Sequence, residues 1–181
     1  MAFDFTAYMK GIAETLKDIR HSDSSSEKRF FRISSVMNID EMLQNFTTAG
    51  SPCIMVEDNR TGRYQEAGGS MSYMDNQSYS FLIMKHCEQF DAESREYVKK
   101  DCEALMKKII SKFKKDKAYD LQHPGETRTG MRDFNMSTIY YQTIGPVGDN
   151  YYGMLVQFAR LEPVNADLVY NDNDWTDGSL S

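Results

Sequence analysis

The chain has 181 residues, of which 40% are hydrophobic and 27% are charged, and its formal net charge at pH 7 is −6. This length is typical of one domain that can bury a core. The acidic balance argues against a surface that wraps nucleic acid, because phosphates are bound by clustered lysine and arginine.

The first predicted element is an amphipathic helix over residues 4–20, in which Phe5, Ile12, Leu16 and Ile19 fall on one face. Charged side chains interrupt its apolar residues, so the segment is neither a signal peptide nor a membrane span. The polar residues 21–28 that follow are predicted to form a mobile loop.

A short strand or extended contact is predicted at Phe30–Ile33, followed by a short helix. Asn38 and Glu41 have capping-box spacing, which places the start of that helix at Asn38. Residues 53–57 are a predicted strand that turns at 58–62, and residues 63–72 return as its partner.

The centre of the chain is a buried strand, Ser80–Met84, that leads into a long helix from Asp91 to about Lys117. The polar residues 74–77 are predicted to turn into this strand. Asp91 is the predicted N-cap, because its carboxylate can accept hydrogen bonds from the first turn. The helix has an apolar stripe at spacings of three and four, formed by Val98, Cys102, Leu105, Ile109 and Phe113.

After the long helix, residues 118–132 are predicted to be a polar loop, mobile or functional. Residues 134–144 and 151–161 then form a hairpin joined by a turn. The predicted fold is α+β: a mostly antiparallel, four- to five-stranded sheet packed by one long helix and an N-terminal helix, with the helices on one face. Residues 1–162 form the single domain, and residues 163–181 form an acidic C-terminal arm.

The sequence contains few residues at the spacings typical of catalytic or metal-binding motifs. Cys53, Cys87 and Cys102 lack paired short spacing, so they are predicted to be small buried hydrophobic residues in a reducing compartment. His86 precedes Cys87 directly, and neighbours on a strand point to opposite faces, which favours a structural role over a catalytic pair there. No phosphate loop, nucleophile elbow or zinc-ligand spacing occurs, so no catalytic residue, cofactor or metal site is predicted.

One carboxylate cluster provides an alternative. Glu57, Asp58 and Asp75 lie at predicted strand ends, where they could bind a metal ion as nuclease carboxylates do. The favoured interpretation is turn chemistry, because tight turns commonly use aspartate and asparagine.

The basic half of the long helix is a candidate interface. Its lysines lie late in the helix, where they suit the helix dipole, so a solvated face is the competing interpretation. The interface residues that we predict are Lys107, Lys108, Lys112, Lys114 and Lys115 on the helix, together with Tyr170 and Trp175 in the arm.

The order of elements resembles that of a known family. An N-terminal helix precedes the Pro52–Glu57 strand, the Phe81–Met84 strand leads into a long helix, and a hairpin ends in Gly153–Pro163. Over roughly residues 5–161, this layout is similar to the tail-terminator and neck (head-to-tail connector) proteins of tailed bacteriophages.

The resemblance implies a non-enzymatic structural component of a phage virion, assembled in the host cytoplasm. It would form a homo-oligomeric ring of six or twelve copies in the neck or at the top of the tail. Its implied partners are the tail tube and the portal or connector proteins, with DNA passing through without specific binding and no membrane. A metal-dependent enzyme using the three carboxylates, and a cytosolic adaptor that binds peptides at a sheet edge, are the alternatives.

Overall fold

A computed structural model describes residues 3–59, 61–66, 72–89, 91–124, 129–164, 168–169 and 171. It contains the helices α1 (Phe5–Thr15), α2 (Ile39–Phe46) and α3 (Ala92–Gln122). The strands are β1 (Lys28–Ile33), β2 (Ala49–Glu57), β3 (Thr61–Glu66), β4 (Tyr73–His86), β5 (Tyr140–Val147) and β6 (Tyr151–Pro163). The predicted α+β class is confirmed, with α3 and the N-terminal α1 packed on a mostly antiparallel sheet.

The sheet has six strands, against the predicted four or five, and its order is β1-β2-β4-β6-β5 with β3 also paired to β4. Among the described strands, only β1 and β2 run parallel. The central strand β4 is 14 residues long and begins at Tyr73, so the predicted turn at residues 74–77 is wrong. Those polar residues are held in the sheet because β3 pairs with them on one side and β6 on the other.

The predicted hairpin of residues 53–57 with 63–72 is also wrong. Both β2 and β3 are antiparallel to β4, so they follow one another along the same edge of that strand. Val56 pairs with Phe81 and Thr61 pairs with Ser78. The connection from β2 to β3 therefore contains two more residues than the stretch of β4 that it passes. The turn at Asp58 therefore separates β2 from β3 along one edge of β4. The hairpin partner of β3 is β4. Residues 67–71 lie outside the described residues.

Two apolar layers lie on opposite faces of the sheet. Helices α1 and α3 cover the first face, where the fully buried side chains include Met9, Phe81, Ile83, Phe113 and Phe134. The short helix α2 covers the second face with Met42, against Met55, Met84, Tyr151 and Leu155. The prediction that all helices share one face is wrong for α2, because β2 and β4 place large apolar side chains on both faces.

The predicted helix starts are confirmed. The Asp91 carboxylate accepts a hydrogen bond from the Ser94 backbone N–H at 2.8 Å, and that bond lowers the pKa of Asp91. Asn38 caps α2 by accepting from the Glu41 N–H at 3.2 Å. The Glu41 carboxylate does not complete the capping box but accepts from Ser34, whose side-chain and backbone hydrogen bonds lower its pKa.

Several boundaries differ from the predicted ones. Helix α1 ends at Thr15, and α3 continues to Gln122, so the first part of the predicted 118–132 loop is helical. The C-terminal hairpin is confirmed as β5 and β6, preceded by a 3-10 turn at Met136–Thr138. All three cysteines are buried free thiols, as predicted. Among the described residues, no helix is long and apolar enough to cross a bilayer.

Candidate functional site

The three carboxylates of the metal hypothesis lie apart from one another. Glu57 and Asp58 end β2, whereas Asp75 lies near the start of β4. Val56 pairs with Phe81, so Glu57 lies beside Ser80, and the rise of about 3.3 Å per strand residue puts Asp75 roughly 16 Å further along β4. No group of three histidine, cysteine or acidic residues that could hold a metal ion occurs in the described part of the chain. The described residues therefore do not support the alternative of one metal site shared by these three carboxylates.

Each of these carboxylates instead has a local hydrogen-bonding role. Asp58 accepts from Arg32 Nε at 2.8 Å and from Thr6 Oγ1 at 3.1 Å, which ties α1 to the end of β2. Asp75 accepts from Gln77 Nε2 at 2.6 Å. Glu57 accepts from the Val36 N–H at 3.3 Å, so structural roles account for all three groups.

The lysines of α3 are exposed, and most are already paired. Lys107 lies 2.6 Å from Glu103, Lys108 lies 2.7 Å from Asp18, and Lys112 lies 2.5 Å from Asp116. Lys114 and Lys115 have no ion pair within the described ranges. The pairs of Lys107 and Lys108 are exposed on both sides, so each contributes at most about 1 kcal/mol and exchanges partners easily, whereas Lys112 is bound to a buried carboxylate. The two predicted arm residues, Tyr170 and Trp175, lie outside the described residues.

The helical positions of these lysines divide them between two sides of α3. Lys107 and Lys114 are seven residues apart and share one side. Lys108, Lys112 and Lys115 share another, where they rim a hollow of about 340 Å³ between α1 and α3. We call this hollow the α1–α3 groove; it is lined by Ile12, Thr15, Leu16, Lys108, Ile109, Ser111, Lys112 and Lys115. It combines an apolar floor with a cationic rim.

The strand β5 is the second candidate surface. It lies at one end of the strand order and pairs only with β6 among the described strands. Tyr140 and Tyr141 are each 54% exposed, and they project to opposite faces because they are neighbours on a strand. The Tyr140 hydroxyl donates to Gln142 Oε1 at 3.1 Å.

The edge position of β5 was not predicted from sequence, although a signal was present. A strand that buries one face alternates apolar with polar residues, whereas Tyr140 and Tyr141 are consecutive aromatic residues. A smaller apolar patch at the start of α2 was also missed; it exposes Met37, Ile39 and Leu43. Because α2 buries Met42 on the second face of the sheet, these side chains are left facing outward.

Comparisons with protein-family models, with curated proteins and with solved structures find no match for this chain. Its function has to be argued from its own surfaces and from the order of its elements.

Proposed function

We propose that this chain is a non-enzymatic structural subunit of a tailed-phage virion. Copies would assemble into a ring in the neck or at the top of the tail, which joins the tail to the head and lets DNA pass. One observation carries the proposal: β5 is an uncovered edge strand that exposes aromatic side chains on both of its faces. The order α1, β2, β4, α3, β5 and β6 supports it, because that order carries the resemblance to neck and tail-terminator proteins.

An edge strand offers unpaired backbone N–H and C=O groups to another chain. Soluble proteins commonly protect such edges with lysine, proline or a bulge. In β5 the protection is limited to Pro146 and the register shift near it, which leaves Tyr140–Ile144 available. Tyrosine is enriched at protein interfaces, because its ring contributes apolar area and its hydroxyl keeps a polar contact.

The two ends of the sheet differ, which favours a head-to-tail contact. One end is β5, whereas the other is β1, whose Arg29 N–H already donates to the His21 side chain at 3.3 Å. A contact between unlike surfaces repeats from copy to copy and closes into a ring when the rotation permits. The acidic net charge of the chain suits a ring through which DNA passes, because it provides little attraction for phosphates.

The test is the assembly state of the full chain. Mass photometry and electron microscopy would be recorded over a concentration series, alone and with the tail-tube and portal proteins encoded beside it. We expect monomers or weak oligomers alone and rings with a partner. The double substitution Tyr140→Glu with Tyr141→Glu should abolish rings, whereas Tyr97→Glu on α3, where the side chain is 64% exposed, should not. A stable monomer that is indifferent to both partners would contradict the proposal.

The same edge favours the adaptor hypothesis, because an extended peptide can add a strand to β5. The two functions differ in the occupant of the edge. An adaptor would remain monomeric at every concentration and would bind peptides through β5. The concentration series with the same two variants therefore separates them.

A further inference from the structure

The floor of the α1–α3 groove is apolar, and Leu16 is its partly exposed apolar residue. Ile12 and Ile109 are 5% and 1% exposed, and the half-buried Leu16 continues the floor at the end of α1. Its volume of about 340 Å³ lies at the lower end of the range of ligand sites and suits one large side chain. The size and the apolar floor of the groove therefore favour one large apolar side chain as its occupant.

The rim of the groove indicates that this occupant is acidic. Between Leu105 and Tyr119, α3 carries six lysines and one aspartate. On the rim, Lys115 has no ion pair within the described ranges. The pair of Lys108 with Asp18 is exposed on both sides, so Lys108 can exchange that partner at little cost.

The C-terminal segment of the chain combines these two features. Residues 165–181 contain four aspartates, no lysine or arginine, and the single tryptophan of the chain. Asp172 and Asp174 precede Trp175, and Asp177 follows it. A large aromatic side chain with carboxylates on both sides complements an apolar floor with lysines along its rim.

We propose that the α1–α3 groove binds residues 172–177 of a neighbouring copy, with Trp175 on the floor and the aspartates at Lys108 and Lys115. This inference rests on the proposed function, because it supplies a second contact between subunits of the ring. It also assigns a single role to the predicted interface residues on the helix and to Trp175.

The start of the segment favours a neighbouring copy over the same chain. Strand β6 ends at Pro163, and Leu168 and Val169 are already 46% and 72% exposed, so the chain is leaving its own core there. The Leu168 N–H donates to the Val164 carbonyl at 3.1 Å, and the seven residue steps from Leu168 to Trp175 can extend about 24 Å from that turn. That reach exceeds the radius of gyration of about 16 Å expected for a domain of this length.

The fluorescence of Trp175 provides the test, since it is the single tryptophan of this chain and the emission of the partner alone can be subtracted. Emission and mass photometry would be recorded on the same samples of full chain over a concentration series with the partner that induces rings. We expect the emission to shift to shorter wavelength as rings form. Lys108→Glu with Lys115→Glu should remove that shift and weaken assembly at least about tenfold, a factor equivalent to about 1.4 kcal/mol.

The matched control is Lys107→Glu with Lys114→Glu, which makes the same charge change on the other side of α3. It should retain the shift. Replacing Asp172, Asp174 and Asp177 by lysine should restore the shift in the groove variant, because the charges are then complementary again. Equal thermal midpoints of all variants would show that folding is unchanged.

The outcomes distinguish this inference from the proposed function. Rings without a shift, or a shift that both lysine variants leave intact, would overturn the inference while the ring proposal stands. A shift independent of concentration would place the segment in the groove of its own chain and would overturn binding to a neighbour. Absence of rings with every partner would overturn both proposals.

Discussion

Two aspartates near the end of α3 explain why the helix runs beyond Lys117. Asp116 and Asp120 are 5% and 1% exposed. Asp116 accepts from the Tyr8 hydroxyl at 2.6 Å and from Lys112 Nζ at 2.5 Å, which connects α1 to α3. Both positions continue the spacing of the apolar stripe after Phe113. That spacing was the sequence signal for a longer helix with two buried carboxylates.

Asp120 fixes the segment that follows the helix, and its removal should destabilise the fold. Its carboxylate accepts from the Thr129 N–H at 2.8 Å, the Thr129 hydroxyl at 3.0 Å and the Met131 N–H at 3.0 Å. We expect Asp120→Asn to lower the free energy of unfolding by about 1.5–3 kcal/mol, because an amide offers one acceptor oxygen and no charge. Urea unfolding would measure this loss.

The control for that experiment is Asp40→Asn on the exposed side of α2, which should change stability by less than about 0.5 kcal/mol. Equal effects of the two substitutions would show that the hydrogen bonds of Asp120 contribute nothing specific.

Tyr8 should make stability depend on alkaline pH. Burial, followed by the hydrogen bond to Asp116, raises the pKa of Tyr8 well above the ordinary value near 10. The native state therefore keeps the phenol proton that the unfolded chain releases, so this contribution is complete below pH 10 and is lost as the pH rises further. We expect the free energy of unfolding to fall more steeply from pH 10 to 11 in the wild type than in Tyr8→Phe.

The cysteines contribute to the same alkaline range. Burial raises the pKa of Cys53 and of Cys102 to about 12, so both thiols favour the native state less as the pH rises above about 9. Their effect is present in both proteins, and the difference between wild type and Tyr8→Phe isolates the tyrosine. Parallel curves above pH 10 would contradict the role given to Tyr8.

At the scale of elements, β6 approaches β4 so closely that one position requires glycine. A Cβ at Gly153 would overlap the carbonyl oxygen of Ile83, and backbone atoms cannot move aside as a flexible side chain can. We expect Gly153→Ala to destabilise the protein by about 1–3 kcal/mol or more, because the two central strands must separate. Thermal and urea unfolding would measure the change.

Gly11 in α1 provides a control of opposite sign. A Cβ there meets nothing within 4 Å, so Gly11→Ala should stabilise the protein by about 0.5–1 kcal/mol through helix propensity. Destabilisation of similar size at both positions would contradict the argument from close strand packing.

The elements that were predictable are those whose pattern is local. Asp91 and the stripe after it define the start and the face of α3 without reference to the rest of the chain. Residues 74–77 were predicted as a turn because their polarity is turn-like, and only pairing with β3 and β6 makes them strand. The role of Asp58 depends in the same way on Arg32 and Thr6, which lie 26 and 52 residues earlier in the chain. Contacts between distant segments decide such cases, and a local pattern does not contain them.

At the scale of the whole molecule, the fold class was predictable and the surfaces were less so. The alternation of hydrophobic segments predicts helices on an antiparallel sheet, which the structure confirms. It does not show which strand lies at the end, so the exposure of Tyr140 and Tyr141 on β5 had to come from the structure. The lysines of the α1–α3 groove could be predicted from the sequence. Its apolar floor could not, because only the packing of α1 on α3 places Ile12 and Leu16 beside those lysines.

The parallel pair of β1 and β2 restricts how copies could meet in the proposed ring. Parallel strands need a crossover connection, and α1 already lies over β1 and β2 on the first face. The crossover helix α2 is thereby directed to the second face, so both broad sides of the sheet are occupied above these strands. Contacts between copies would therefore use the edge strands of the sheet and the solvent-facing sides of its helices. A wall built from such subunits would be one sheet thick, with its seams at β5 and along α3.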